Sequence, residues 1–256
     1  LEKIREDISN WLKDPSNLIL VGIISLAFIL RFYYFFITKN QPLWYDEAEY
    51  MSGAKGYAGI IDYKIGSIRL PGFPMLMSLF FTLGITSEPI MRFIALFLPS
   101  ILVLFLMYIL MKEMYSDKKI AIISTILLAV LWEHLFYSNR FHTENLALIF
   151  EFFALIILFR CYSKKKDLMF IKSKYSLIWI GFFSLVSVIL RPGNFFFIPA
   201  IIAFLFLLNA PRLIKDVLAW KIWTVIALVL ATLVIFLLNL SKMPIISAYY
   251  SPKNAI

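Results

Sequence analysis

The stretch "GFPMLMSLFFTLG", Gly72–Gly84, decides the topology of this chain. It is apolar almost throughout, yet thirteen residues rise only about 20 Å as a helix, against a hydrocarbon core of about 30 Å. If it crosses the membrane, every later loop changes side. Charge arbitrates. Without a crossing, Lys112, Lys118 and Lys119, the cluster from Arg160 to Lys174 with Lys164, Lys165 and Lys166, and Arg212, Lys215 and Lys221 all share a side with Lys3, Arg5 and Lys13. That arrangement obeys the positive-inside rule throughout; a crossing would place the densest basic cluster outside. Residues 72 to 84 are therefore read as a re-entrant or interfacial helix within a long first external region, Thr38 to Glu88.

Composition sets the frame for that reading. The chain is 61% hydrophobic, with a mean hydropathy of +0.83, and it carries apolar runs of about twenty residues. It is an integral membrane protein. Its one cysteine, Cys161, allows no intrachain disulfide, and no Cys/His cluster has zinc-ligand spacing, so helix packing must supply the stability. The net charge of +9 lies mostly in short loops between apolar runs, where membrane topology accounts for it and nucleic acid is not implied.

Apolar runs predict seven spans, near 18 to 37, 89 to 111, 120 to 137, 144 to 160, 175 to 190, 193 to 209 and 222 to 240. Ahead of them, Leu1, Ile4, Ile8, Trp11 and Leu12 recur at helical spacing, so residues 1 to 17 read as a cytoplasmic amphipathic helix lying at the interface. The run from Leu18 to Ile37 exceeds a signal-peptide core and lacks a small-residue cleavage site; it reads as a retained anchor. A start at Leu1 and an end shortly after an apolar run suggest a fragment or a processed chain. The expected fold is an all-α polytopic membrane bundle in residues 18 to 256, its N-terminus cytoplasmic. No internal repeat or low-complexity segment is visible.

This topology gathers chemistry on the outer face. The external side receives region 38 to 88, the loop "YSNRFHTEN" (137 to 145), the loop "LRPGN" (190 to 194) and the tail after Leu240. Opposite lie short basic turns such as "KEMYSDKK", where Asp117 reads as a helix N-cap. Glu133, His134 and Glu151, within spans, fall in or near the outer half, where charge requires pairing or a wet cavity. In "PLWYDEAEY", Asp46 and Glu49 have capping-box spacing for a short helix over 47 to 57. Capping leaves Glu47 unexplained. A partly desolvated carboxylate at the interface, Asp46 or Glu47, suits a general base or a divalent-metal ligand.

In the second loop Arg140, His142 and Glu144 lie within five residues. Thr143 can cap the next span with Glu144 in its first turn, and Arg140 can reach the head groups. Glu151 follows Glu144 by seven residues and so shares its helix face. In "LRPGN" the Pro-Gly pair reads as a turn, while Arg191 offers a forked donor for a phosphate. With Arg69 of "IRLPGFP", three external arginines, Arg69, Arg140 and Arg191, face an anionic head group.

Taken in order, "WYDEAEY" after the first span, "RLPGFPMLMSLFFTLG", "MRFIALFLPSILVLFLMYIL", "YSNRFHTENLAL" and "LRPGNFFFIPA" resemble the GT-C membrane glycosyltransferases. The nearest likeness is to the protein O-mannosyltransferase and aminoarabinose transferase branch. The resemblance implies a GT-C-like domain with juxtamembrane helices in its first external loop. It further implies inverting transfer of a sugar from a polyprenyl-phosphate donor to a lipid, glycan or protein acceptor at the outer face of the cell membrane. Asp46 takes the position of the catalytic carboxylate and Glu144 that of the second acidic residue; these two are also the candidates for a divalent metal ion. Arg69, Arg140 and Arg191 are matched only loosely, as phosphate contacts. Members usually continue with further spans and often a soluble domain, so residues 18 to 256 look incomplete at the C-terminus. Two other classes share the pattern: a transporter or flippase for lipid-linked or anionic substrates, and a non-catalytic membrane subunit of the same fold. The first predicts midplane broken helices and a repeat; the second predicts Asp46 and Glu144 far apart.

Overall fold

The computed structural model describes Glu6 and residues 9–63, 70–168 and 171–215, with side chains as far as Asn209. Most of the amphipathic segment 1 to 17, Arg69 and the seventh expected span, 222 to 240, lie outside the described residues. The described residues are helical, with an isolated bridge between Leu168 and Ile171 and no strand.

Helix α1 (Pro15–Thr38) starts where Asp14 accepts from the Ser16 N–H at 2.9 Å, with proline in the first turn. Two short helices follow, α2 (Tyr45–Tyr57) and α3 (Gly72–Thr82), then the long α4 (Glu88–Tyr115), which contains a π turn over Phe93–Phe97. After α5 (Lys118–Val130) and α6 (Trp132–Phe136) comes α7 (Glu144–Ile157), extended by a π turn over Leu158–Ser163. Helix α8 (Ser176–Leu190) completes one compact unit; α9 (Phe197–Lys215) belongs to a second. Among the described residues five helical segments are long and apolar enough to cross a membrane, or six if the bent pair α5 and α6 counts as one span. These coincide with the first six expected spans.

Helix α3, within Gly72–Gly84, is apolar but shorter than the helices counted as long enough to cross. Its eleven residues rise about 16 Å, and it stops at Gly84, whose φ of +78° is open to glycine. The Ile85 N–H reaches Phe80 O at 2.9 Å and the Gly84 N–H reaches Phe81 O at 3.0 Å, the two bonds of a Schellman cap. One face, Phe73, Met77 and Phe81, is buried in the main core with Tyr50, Met51 and Ala54. The other, Met75, Leu79 and Leu83, is exposed and needs lipid to cover it.

The first compact unit has two chemically different ends. At the basic end Lys118 pairs with Asp14, while Arg160 and Lys164 reach Glu113 at 3.0 and 3.3 Å. Asp117 caps α5 by accepting from the Lys119 N–H at 2.7 Å, as its sequence setting predicts. At the other end Thr38 bonds Asn139, and Gln41 accepts from Arg92. That is the partition of loops that the charge pattern demanded.

The third expected span is not straight: α5 and α6 meet at 59°. Leu131, with ψ of 120°, breaks the helix and leaves carbonyls without helical partners. Arg31 of α1, fully buried, donates to Ala129 O at 3.0 Å and so caps the end of α5. A cation there also meets the negative end of the helix dipole. Inside a membrane such a break is tolerable only where protein groups take over the freed backbone.

The non-spanning character of α3 is checked by labelling. Cysteines placed at Tyr57 and Thr86, both exposed, should react with a membrane-impermeant maleimide from the same side, the native Cys161 being buried. Labelling from opposite sides would show that residues 72 to 82 cross.

Candidate active site

The end of the bundle away from the basic turns is organised by one carboxylate. Helix α2 begins at Tyr45, with Trp44 as its extended N-cap residue, and Glu47 in the first turn reaches back to the Trp44 N–H at 2.8 Å. Asp46 and Glu49 were expected to supply this cap for a helix over 47 to 57. The helix starts two residues earlier, which moves the reach-back position to Glu47. Glu47 is completely buried. Its Oε1 accepts the Phe141 N–H at 2.8 Å and lies 3.5 Å from Arg92, and its Oε2 accepts from Arg140 at 3.1 Å.

Both arginines are committed as well. Arg92 donates to Asn139 O at 2.6 Å and Gln41 O at 3.3 Å, lies 3.9 Å from Glu88, and covers the Phe141 ring at 4.6 Å. Arg140, 4% exposed, lies over the rings of Trp44 at 4.1 Å and Phe136 at 5.2 Å. One carboxylate thus ties the start of α2 to α4 and to the loop before α7. In this setting Glu47 and Arg140 hold the scaffold together, and neither presents a group to a ligand.

Asp46, the residue before Glu47 on α2, is only partly buried. Tyr137 packs against the His142 ring, and the charges of Glu144, Arg191, Glu133 and Asp46 act on its phenol at longer range. Glu144 opens α7; its Oε2 is 3.7 Å from His142 Nδ1 and its Oε1 is 3.7 Å from Arg191. Glu144 Oε2 is buried without a hydrogen-bond partner in the protein. The His142 ring is held between Tyr137 and Tyr50, at centroid distances of 5.2 and 6.5 Å.

Glu151 continues the same face of α7, accepting from Ser187 at 3.2 Å, while Asn194 donates to that hydroxyl at 2.7 Å. The shared face of Glu144 and Glu151 is therefore turned to α8 and its C-terminal turn. His134, on α6, is buried against Asn145 at 2.6 Å and Ser100 O at 3.2 Å. Thr143 makes no side-chain cap to α7.

Of the residues singled out in the sequence, the structure brings together His142, Glu144 and Arg191, with Tyr137 against the His142 ring; Asp46 acts on Tyr137 only at longer range. It gathers Glu47 and Arg140 separately. Arg69 is outside the described residues. Two functional arginines had escaped notice, Arg92 and Arg31; for Arg92 the i, i+4 spacing from Glu88 was the available signal. Among the described residues no group of three or more His, Cys, Asp or Glu is placed to hold a metal ion. Asp46 and Glu144, the carboxylates considered for that purpose, do not form a resident metal site by themselves.

Adjacent carboxylates should thus respond differently to substitution. Glu47→Ala leaves two buried guanidinium groups without their carboxylate and should cost on the order of 3–5 kcal/mol, seen as a lowered melting temperature or loss of the folded protein. Asp46→Asn, at a half-buried position outside that network, should cost clearly less than Glu47→Ala. Equal losses would show that Asp46 belongs to the same structural knot. No family model matches the chain, and comparison with curated proteins and with solved structures gives no match.

Proposed function

We propose that this protein is a membrane glycosyltransferase of the GT-C kind, moving a sugar from a polyprenyl-phosphate carrier to an acceptor hydroxyl at the outer face of the membrane. The observation that supports the reading is the grouping of Glu144 with His142 and Arg191, each at 3.7 Å, with Tyr137 against the His142 ring. Asp46 stands on α2, whose first turn is anchored by a buried ion-pair network.

The chemistry suits that depth. A polyprenyl phosphate keeps its tail in lipid and its phosphate at the interface, where Arg191, with its side chain 44% exposed, is the accessible arginine. Its guanidinium forks towards phosphate oxygens. Glu144 and His142 orient it and contact the sugar hydroxyls. Asp46 takes the proton of the acceptor hydroxyl as that oxygen bonds to the anomeric carbon. The bond from the anomeric carbon to the phosphate oxygen breaks on the opposite side, and the electron pair leaves with the polyprenyl phosphate. The product is inverted. Asp46 rather than Glu47 serves as the base because a base must reach the proton it removes, and Glu47 is sealed in the protein. No step is routed through a metal ion.

The test is transfer of label from a polyprenyl-phosphate hexose to the acceptor fraction of membranes carrying each variant. Asp46→Asn should lower transfer by about a hundredfold or more while the protein remains folded. Arg191→Ala should act chiefly on the donor, raising its KM by about tenfold through a lost charged hydrogen bond. Equal transfer by the natural chain and Asp46→Asn would overturn the reading.

A further inference from the structure

Helix α2 turns about 100° per residue, and its two sides are differently occupied. Glu47, Tyr50, Met51 and Ala54 are buried against the bundle. Tyr45, Ala48, Glu49 and Ser52, spaced as one helix face, line a cavity of about 270 Å³ together with Tyr63. Asp46 falls between these faces. The transferase chemistry uses the His142, Glu144 and Arg191 side and leaves the cavity without a role.

The cavity's far wall is placed by the chain itself. Past α2 the backbone folds back so tightly that a Cβ on Gly56 would stand 2.2 Å from the Tyr63 carbonyl oxygen. That contact is with backbone, so a side chain at position 56 would have to displace the return segment. Tyr45 is 86% exposed and Tyr63 37% exposed, two aromatic residues left largely uncovered around a small space that also holds a carboxylate and a hydroxyl.

We propose that this cavity binds a pyranose ring, the sugar of the acceptor, so that the accepting hydroxyl comes to Asp46 from the side opposite the donor. The proposal rests on the transferase reading for the word acceptor, though not for the sugar. The volume is smaller than drug-sized pockets and of the order of one six-membered ring with its hydroxyls. Tyrosine faces carry negative quadrupole and attract the C–H face of such a ring. The Glu49 carboxylate and the Ser52 hydroxyl, both lining the cavity, are of the kinds that bond ring hydroxyls, the first as acceptor and the second as donor and acceptor. An extended peptide is the poorer fit. Peptide recognition by strand addition needs an open backbone edge, and four of the five lining residues lie on a helix whose backbone is internally bonded.

The experiment is saturation-transfer NMR on the full chain in lipid nanodiscs, free of glycoside detergent. The probes are methyl α-D-glucopyranoside, methyl α-D-mannopyranoside and a serine- and threonine-containing peptide. At least one methyl pyranoside should bind at about millimolar level. Tyr45→Ala, Glu49→Gln and Gly56→Ala should each weaken that binding by about fivefold or more, with Tyr115→Ala at the basic end as an unchanged control. Tyr45 is too exposed for its truncation to unfold the protein, so a loss there reads on the cavity. Absence of pyranoside binding, binding indifferent to all three cavity variants, or binding of the peptide in place of the sugars would overturn the proposal. No donor is present in this measurement, so a failed transfer assay beside normal pyranoside binding removes the transferase reading and leaves the sugar cavity.

Discussion

The Glu47 carboxylate, closed off from solvent between Arg92 and Arg140, is the contact on which the rest of this end of the molecule depends. An ion pair of this kind contributes little net stability compared with apolar packing, because desolvation offsets the attraction. What it does impose is geometry. Both carboxylate oxygens also accept backbone N–H groups, from Trp44 and Phe141, so the start of α2 and the loop before α7 have one relative position. The aromatic rings over and under the guanidinium groups keep water out of the knot. Asp46 is carried on the first turn of the helix so fixed, and Glu144 opens the helix that follows the fixed loop.

At mid-bundle Arg31 plays a comparable part with no carboxylate at all. It donates to Ala129 O at the break between α5 and α6 and to Ala27 O of its own helix, so the dipole of the helix it terminates offsets part of the cost of its charge, while its Nε and Nη2 are buried without a hydrogen-bond partner among the described residues. Breaking that span turns His134 inward to Asn145 on α7. It also frees the chain to deliver Tyr137 and Arg140 to the polar end. A straight helix over 120 to 137 would carry those residues along the bundle axis instead.

Much of this was legible in the sequence, for identifiable reasons. The short helix within Gly72–Gly84 followed from the length of its apolar run, a constraint that local detail does not disturb. Asp117 was legible because an acidic residue before an apolar run has few other uses. The shared face of Glu144 and Glu151 followed from helical periodicity alone. Three features were not legible. The cap of α2 moved because the helix start is fixed by long-range bonds to Glu47. The pairing of Glu47 with Arg92 joins residues from separate helices, which no spacing rule can connect. The bend at Leu131 has no proline or glycine to announce it and depends on Arg31 from another helix.

The neighbouring carboxylates Asp46 and Glu47 began as equivalent candidates for one proton, and their environments divide the work between them. A group that fixes a scaffold must have its bonds satisfied in every state of the reaction cycle, which removes it from proton transfer. A group that takes a proton must meet its substrate, change charge and release the proton again, which requires an open side and a neighbourhood that does not collapse when the charge changes. Placing the two at adjacent positions of one helix satisfies both demands, since successive residues point about 100° apart. The buried member anchors the turn, and the anchored turn carries its neighbour. Under the transferase proposal, inversion puts acceptor and leaving group on opposite sides of the anomeric carbon, so the base has to stand on the acceptor's side and reach its hydroxyl, which a sealed carboxylate cannot do.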